Sequence, residues 1–324
     1  MRSPFRDLPE HVRAAFNFNS RWLPLDAEAL HRVEEPHRPG PTTPVPLKVH
    51  FVDEGPDDAE EAVVCLHGNP TWSFYYRRLI AALRDEVRVI VPDHLGMGLS
   101  DKPRAYPYRL ANHIANLETL LDALKLKRVH LVMHDWGGAI GMGLAVRRPE
   151  MISRLVVLNT AAFPVNRIPL RIAVCRWPLL GAALVRGFNG FALAALRMAT
   201  TDPKGLRQSG AAEGLSWPYR RMRDRIALHR FVQDIPMHSR HPSWPTLCEI
   251  DESLPRLAHK PMHIAWGMRD FCFRPSPFLD EWKRRFPEAS VERYPNAGHY
   301  VLEDAAEALV PRLVDFLRAD TTSA

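Results

Sequence analysis

The sequence predicts an α/β fold, in which a mostly parallel β-sheet is flanked by helices and carries an inserted helical segment. Short apolar, β-branched runs bounded by turn residues are typical of buried strands. Amphipathic helical patterns lie between several of these runs, and this alternation is typical of a parallel sheet covered on both faces. About a hundred residues before the last two runs show helical patterns only, which is too long for a loop in a compact domain.

The apolar runs define the predicted strands and, with them, the predicted domains. Strands are predicted at residues 47–52, 62–66, 87–91, 129–133, 155–158, 262–266 and 291–294. Helices are predicted, among others, at residues 75–83, 113–124, 140–148 and 278–286. We therefore predict a sheet core of residues 46–162 and 258–324, interrupted by a helical cap of residues 163–257. Residues 1–45, with many prolines, are predicted to be an extension that wraps the surface.

The composition is that of an ordinary globular protein. The chain has 324 residues, of which 46% are hydrophobic and 25% charged, and this excludes a disordered chain, a collagen-like repeat and a disulfide scaffold. The four cysteines are scattered without a C-x-x-C pair, so we expect free thiols in a reducing cytoplasm. The N-terminus lacks the apolar run of a secretory signal. Arginines interrupt the most apolar region, residues 172–199, so we expect no transmembrane segment.

Basic residues are concentrated in the predicted cap. The formal net charge is +6, and residues 161–230 contain twelve Lys or Arg against three acidic residues. Most charge of this kind is solvated surface, but an acidic partner protein, an anionic ligand or a membrane surface is an alternative. The aromatic residues do not interleave with the basic ones, so the sequence does not indicate nucleic-acid binding.

One segment has the context of a nucleophile elbow. His134-Asp135-Trp136-Gly137-Gly138 follows a predicted strand and opens a predicted helix, and ligands bind at the carboxyl ends of parallel strands. Asp135 occupies the position where serine or cysteine is usual, which disfavours a serine hydrolase. A carboxylate is already ionised at neutral pH, so it can attack an electrophilic carbon and form an ester without a base. The alternative is that Asp135 caps the helix.

Two further residues complete a candidate catalytic triad. His299 follows the last predicted strand and is the candidate base, while Asp270 follows the preceding strand and would orient the imidazole. The order nucleophile, acid, histidine is that of the α/β-hydrolase fold. Asn159 follows an earlier strand, but an amide cannot serve as the acid. The alternatives are a surface role for His299 and an ion pair of Asp270 with Arg269 or Arg274.

Two residues are candidates for holding a developing anion. The backbone N–H groups of Trp136 and Asn69 would form an oxyanion hole, and their side chains could hold a leaving halide or carboxylate. Asn69 could instead only cap the helix that follows it. We interpret His67, Asp93, His94 and His134 as structural residues that bond to the loop backbone, and Asp101 as a turn residue.

The substrate pocket is harder to predict, because buried aromatic residues of a cap more often belong to its core. Our candidates for lining the pocket are His134, Phe163, Trp177, Trp217 and Phe231. The sequence contains neither a metal-ligand cluster nor a dinucleotide fingerprint, so we expect no cofactor.

These motifs resemble the haloalkane dehalogenase branch of the α/β-hydrolase superfamily. The matching stretches are HGNPTW at 67–72, DHLGMGLS at 93–100, HDWGG at 134–138, Trp266-Gly267 with Asp270, and Gly298-His299. The resemblance implies that Asp135 is the nucleophile, His299 the base and Asp270 the acid. It also implies halide binding by Trp136 and Asn69.

Longer strings are similar to the β-lactone decarboxylases of bacterial olefin biosynthesis. They lie at residues 71–78, 158–164, 230–236 and 299–305, partly within the predicted cap. This resemblance implies a small apolar substrate, a cis-3-alkyl-4-alkyloxetan-2-one, that yields a cis-alkene and CO₂. It further implies a cytoplasmic enzyme with protein partners in an olefin-biosynthesis assembly. The residues leave open whether Asp135 attacks a ring carbon or the carbonyl.

Three alternatives accompany this interpretation. A haloalkane dehalogenase would use the same residues to hydrolyse carbon–halogen bonds through an alkyl ester of Asp135. An epoxide hydrolase is disfavoured, since such enzymes normally use two cap tyrosines and residues 163–257 contain only Tyr219. A non-catalytic small-molecule receptor with the same fold is disfavoured by the apparently complete catalytic set.

Overall fold

The computed structural model describes residues 8–25, 46–165 and 167–318. Its strands within these ranges are β1 Ser20–Leu25, β2 Leu47–Glu54, β3 Glu61–Leu66, β4 Val89–Pro92, β5 Arg128–Asp135, β6 Ile152–Thr160, β7 Met262–Gly267 and β8 Ser290–Tyr294. They form one sheet in the order β1-β2-β4-β3-β5-β6-β7-β8. β2 pairs antiparallel with β1 and β4, and the pairs from β4 to β8 are parallel. This sheet confirms the predicted fold class.

Helices connect the strands. Those of the first half are α1 Glu10–Ala15, α2 Arg77–Leu83, α3 Leu110–Ala123 and α4 Trp136–Arg147. Those between β6 and β7 are α5 Leu170–Cys175, α6 Pro178–Ala182, α7 Gly190–Met198, α8 Pro203–Gln208, α9 Ala211–Ser216, α10 Ile226–Gln233 and α11 Trp244–Ser253. α12 Asp280–Arg285, α13 Val301–Asp304 and α14 Ala306–Arg318 follow β7. Short 3₁₀ and π segments supplement them, and the π segment Ala183–Gly187 joins the end of α6 to the turn before α7.

All seven predicted strands are present, and their bounds differ from the prediction by at most three residues at either end. The central strands are buried on both faces, and the period of two divides their side chains between two apolar clusters. In β3, Val63 and Cys65 belong to one cluster, whereas Val64 and Leu66 belong to the other. The sheet therefore has a core on each face, as expected for a parallel sheet between helical layers.

The structure corrects the prediction for the N-terminal extension. Residues 20–25 form an edge strand that pairs with β2, from Ser20 opposite Val52 to Leu25 opposite Leu47. The sequence did not indicate this strand because Pro24 lacks the N–H donor that a central strand needs. An edge strand tolerates such a residue. α1 is also integral to the fold, because Val12 is buried. The remainder of the predicted extension, residues 1–7 and 26–45, lies outside the described residues.

The segment between β6 and β7 contains helices and no strand among its described residues. No single helix in the described part of the chain is long and apolar enough to cross a membrane. The helical stretches Pro178–Gly187 and Gly190–Met198 meet that requirement only as a pair, and they are bent by 69° relative to each other. The division of the chain into a core and a cap of residues 163–257 stays a prediction.

Candidate active site

Asp135 stands at a strained corner between β5 and α4. Its φ of 51° and ψ of −122° are unusual for a residue with a side chain, and such conformations are concentrated at functional sites. The chain is closely packed at this turn. A Cβ on Gly68 would overlap the side chain of Asp135, and a Cβ on Gly137 would overlap the carbonyl of Leu66. The hydroxyl of Thr160 donates to the carbonyl oxygen of Asp135. The glycines therefore make possible the sharp turn that the sequence indicated.

The three predicted triad residues lie together. Nε2 of His299 is 3.5 Å from Oδ2 of Asp135, and Nδ1 of His299 is 2.8 Å from Oδ2 of Asp270. All three side chains are buried, with 7%, 3% and 5% of Asp135, Asp270 and His299 exposed. The carboxylate of Asp270 can thus hold the imidazole with Nε2 directed at Asp135, which is the arrangement of a nucleophile, base and orienting acid.

A second set of contacts fixes Asp270 and His299. Oδ1 of Asp270 accepts hydrogen bonds from the backbone N–H groups of Cys272 at 2.6 Å and Phe273 at 3.0 Å. The side-chain amide of Asn159 donates to Oδ2 of Asp270 at 3.0 Å and to the carbonyl of Gly267 at 3.1 Å. The ring of Phe273 stacks on that of His299, with centroids 5.6 Å apart. Asn159 therefore holds the carboxylate of Asp270 in position.

The charges of the triad are strongly coupled. Burial lowers the pKa of the His299 imidazole, but the charges of Asp270 and Asp135 outweigh burial and raise this pKa to about 10. Burial would raise the pKa of Asp135, yet the hydrogen bond and charge of His299 hold it below its ordinary value. These shifts favour a protonated His299 beside an ionised Asp135 carboxylate at neutral pH. His299 becomes a base only after one neighbouring negative charge has been neutralised.

Asn69 and Trp136 flank Asp135. The backbone N–H of Asn69 donates to Oδ1 of Asp135 at 2.7 Å, which is the position an oxyanion would occupy when the ester of Asp135 is cleaved. The Asn69 side chain donates one hydrogen bond to the carbonyl of Leu228, at 2.9 Å. Trp136 is half-buried, and its ring lies nearly perpendicular to that of Phe231, with centroids 5.2 Å apart. Both Asn69 and Trp136 line the cavity that contains Asp135.

An apolar cavity of about 320 Å³ opens above the triad, a size that is typical of small-molecule sites. Of the five residues predicted to line the pocket, only Phe163 does so. His134 is fully buried under the triad, where its Nε2 donates to the carbonyl of His299 at 2.8 Å. Phe231 is 1% exposed and packs behind Trp136.

The two predicted tryptophans lie elsewhere. Trp177 is 56% exposed on the outer surface of the insertion. Trp217 lines a separate, polar cavity, where the Arg220 guanidinium lies over its ring. Their aromatic character alone predicted a pocket role, and that prediction is wrong because helix periodicity does not tell which face meets the ligand.

Several cavity residues were missed by the sequence analysis. Tyr300 lines the cavity and directly follows His299, so its position in the motif was an available signal. Phe191 and Met198 of α7 and Arg171 of α5 also line it. Nothing in the sequence distinguishes them from the other apolar and basic residues of the insertion.

The residues interpreted as structural make backbone contacts that fit this role. His94 donates from its ring to the carbonyl of His67 at 2.8 Å. Asp93 accepts hydrogen bonds from the N–H groups of Ser73 and Leu99, and Asp101 accepts one from Lys48. Within the described ranges, no group of three or more His, Cys, Asp or Glu side chains is arranged to hold a metal ion.

The fold and this site define an α/β-hydrolase. Residues 61–306 match the family model of the alpha/beta hydrolase fold, so the chain belongs to this family of enzymes. This family assignment and the resemblance to haloalkane dehalogenases and β-lactone decarboxylases are confirmed by individual relatives.

A cis-3-alkyl-4-alkyloxetan-2-one decarboxylase from Shewanella oneidensis is 44% identical over 286 residues, which cover 86% of this chain and 87% of that protein. A haloalkane dehalogenase 2 from Mycobacterium tuberculosis is 32% identical over 271 residues, covering 83% of this chain and 91% of that protein. The crystal structure of a haloalkane dehalogenase from Bradyrhizobium elkani matches with a TM-score of 0.76 at 21% identity, covering 92% of this chain and 98% of that one. This last likeness concerns the fold alone.

Proposed function

We propose that this enzyme decarboxylates cis-3-alkyl-4-alkyloxetan-2-ones to cis-alkenes and CO₂, with Asp135 as the nucleophile. The observation that carries the proposal is the buried Asp135 carboxylate, held ionised beside His299 at the base of an apolar cavity. The 44% identity to a decarboxylase of these lactones, over most of both chains, supports the choice of substrate. An apolar cavity suits the two alkyl substituents of such a lactone.

We propose that Asp135 attacks the ring carbon that bears the lactone oxygen, because this attack frees the substrate carboxylate that is then lost as CO₂. The Asp135 carboxylate forms a C–O bond to that carbon while the ring C–O bond breaks. The substrate now carries a free carboxylate, which remains attached to the neighbouring carbon of the former ring. This carboxylate then loses CO₂, the freed electron pair forms the alkene, and Asp135 departs as a carboxylate. Neither step needs a general base, which is consistent with an imidazolium at His299. The positive charge of His299 stabilises both the Asp135 carboxylate and the substrate carboxylate.

Water labelling separates this reaction from hydrolysis. If the ester is resolved by decarboxylation, a single turnover in ¹⁸O-water leaves Asp135 unlabelled and releases the alkene. Hydrolysis of the ester instead places ¹⁸O in the Asp135 carboxylate, because water attacks the carboxyl carbon of Asp135. Gas chromatography of the product and mass spectrometry of the peptide containing Asp135 therefore test the proposal together. Absence of alkene from a cis-dialkyl lactone, with efficient halide release from bromoalkanes, would transfer the assignment to dehalogenase.

Haloalkane dehalogenation is the second candidate function. It is favoured by the 32% identity to a haloalkane dehalogenase and by the placement of Trp136 and Asn69 on the cavity wall. In that reaction alkylation of Asp135 removes a negative charge beside His299, so the pKa of His299 falls and the imidazole can activate water. Epoxide hydrolysis has less support, since the hydroxyl of Tyr219 donates to the carbonyl of Thr71 at 3.2 Å, and this residue is absent from the cavity wall.

We further propose that the enzyme works in the cytoplasm. All four cysteines are free, and free thiols are usual in a reducing compartment.

A further inference from the structure

The helices that follow β6 expose an unusual amount of apolar surface. Eight large hydrophobic side chains are exposed among the described residues, and seven of them lie between residues 170 and 198. The most exposed are Leu179 at 88%, Leu170 at 79% and Phe188 at 76%, and Trp177 is 56% exposed. We call the exposed side chains of Leu170, Trp177, Leu179, Leu180, Phe188, Leu193 and Met198 the cap patch. A concentration of exposed apolar side chains in one segment is a feature of interaction sites.

The same segment carries positive charge only. Residues 167–198 contain five arginines and no Asp or Glu. Arg167, Arg171 and Arg197 are exposed, and Arg176 and Arg186 are half-buried. Arginines beside exposed Leu, Phe and Trp side chains are typical of segments that lie in the interface of an anionic membrane. The charge of the segment is therefore complementary to an anionic surface.

The cap patch reaches the entrance of the active-site cavity. Arg171 of α5 and Met198 of α7 are exposed and also line the cavity. A guanidinium nitrogen of Arg171 lies 3.6 Å from the sulfur of Met198, which brings the two helices together at this point. Leu184, in the π segment, lines the cavity as well. An apolar molecule bound at the cap patch therefore lies next to the cavity that contains Asp135.

We propose that the cap patch docks this enzyme on an anionic lipid bilayer, with Leu179 and Phe188 inserted among the acyl chains and the arginines at the headgroups. Protein interfaces are also enriched in aromatic residues, Met and Arg, so a protein partner is the alternative outcome of the test. The absence of Asp and Glu from residues 167–198 favours an anionic lipid surface. Delivery of the substrate from the bilayer rests on the proposed function. The docking to the bilayer does not depend on that function. Binding to lipid can therefore be measured without any turnover.

Vesicle sedimentation tests the docking. The full-length protein is mixed with vesicles of equal parts phosphatidylglycerol and phosphatidylcholine, or of phosphatidylcholine alone, and the tryptophan emission, to which the exposed Trp177 contributes, is recorded. We expect binding to the anionic vesicles, a blue shift of the emission and much weaker binding to the neutral ones. Because each arginine near an anionic surface contributes about 1 kcal/mol and 1.4 kcal/mol is a factor of ten, Arg167→Glu/Arg197→Glu should weaken binding about tenfold or more.

Two further variants separate the apolar and ionic parts. Leu179→Ser/Phe188→Ser should reduce binding by a similar factor and abolish the blue shift. Lys125→Glu/Lys127→Glu reverses the same number of charges just before the amino end of β5, outside the cap patch, and should bind as the wild type does. Circular dichroism checks that each variant is folded.

Equal binding to neutral and anionic vesicles, or patch variants that bind like the wild type, would overturn the proposal. Failure of the wild type to bind either kind of vesicle would also overturn it. In that case, a change of oligomeric state in the patch variants would assign the surface to protein contacts. Loss of alkene formation with intact vesicle binding would instead count against the proposed reaction and leave the docking standing.

Discussion

Nε2 of His299 lies 3.5 Å from Oδ2 of Asp135. The imidazolium and the carboxylate stabilise each other, so the nucleophile is ionised while the histidine cannot yet accept a proton. This relationship makes the protonation state of His299 depend on whether Asp135 is charged.

Neutralising Asp135 should therefore lower the pKa of His299. In the wild type, burial lowers this pKa, and Asp270 and Asp135 raise it to about 10. Asp135→Asn removes one of the two negative charges, so we expect a clear fall, measurable by NMR titration of nitrogen-labelled imidazoles. Asp101→Asn, at an exposed turn, should leave the pKa unchanged. An unchanged His299 titration in Asp135→Asn would mean that Asp270 alone keeps the imidazole charged.

Removing the imidazole should trap the ester when the substrate is a haloalkane. His299→Gln retains Asp135 as a nucleophile but has no group that can activate water. After incubation with a bromoalkane, mass spectrometry should show an alkyl adduct on Asp135 that accumulates with time. The double variant Asp135→Asn/His299→Gln should show no adduct. Modification at another residue, or no adduct despite bound substrate, would contradict the assignment of Asp135.

Much of this site was predictable from the sequence because its parts follow buried strands. Strand ends in a parallel sheet meet at one edge, so Asp135, Asp270 and His299 could be placed together although they are far apart in the chain. The strands themselves were visible because both faces are buried and their sequences are continuously apolar. The edge strand β1 was missed for the opposite reason, since it is half-exposed and contains Pro24.

The pocket walls could not be predicted in the same way. The side chains that line the cavity come from short helices, and which face of such a helix meets the cavity depends on how it packs. Trp177 and Phe191 both belong to the insertion, yet the first is exposed and the second lines the cavity. The nucleophile-elbow motif predicted where α4 begins, whereas the helical pattern itself starts only at residue 140, because Gly137 and Gly138 are poor helix formers.

Gly68 should be essential for the position of Asp135. A Cβ at residue 68 would overlap the side chain of Asp135, so Gly68→Ala must displace the nucleophile. A displacement of about 1 Å can cost about a hundredfold in rate, and we expect kcat to fall by about this factor. Gly187→Ala is the matched control, because a Cβ there meets no atom of the described residues within 4 Å. Similar kinetics of the two variants would refute the crowding argument.

Asn159 should act through the position of Asp270. Its amide donates to Oδ2 of Asp270 at 3.0 Å, and a hydrogen bond to a charged group contributes about 1.5–3 kcal/mol. Asn159→Leu should therefore reduce kcat/KM by about ten- to a hundredfold. Asn116→Leu removes a buried amide that donates to Tyr106 at 2.9 Å, away from the triad, and should lower stability more than activity. If both variants lose activity in proportion to their stability, Asn159 has no specific role.

His113 should make the protein sensitive to acid. Its ring is buried against Phe231, and neither ring nitrogen has a hydrogen-bond partner among the described residues. Burial, with a smaller contribution from His67, lowers its pKa from 6.5 to about 3. The unfolded chain therefore binds the proton first as the pH falls, and the stability from the neutral ring is present above pH 6.5 and is lost between there and about pH 3.

His113→Phe should consequently flatten the pH dependence of the free energy of unfolding. Between pH 6.5 and about 3 the slope should decrease by up to about 1.4 kcal/mol per pH unit. It should not vanish, because burial lowers the pKa of His134 in the same way. At neutral pH the variant should gain about 1 kcal/mol, since two unsatisfied buried nitrogens are removed. Urea denaturation at several pH values measures both effects, with the exposed His238→Phe as the control. An unchanged slope in His113→Phe would show that the ring is already protonated, or hydrated, in the folded protein.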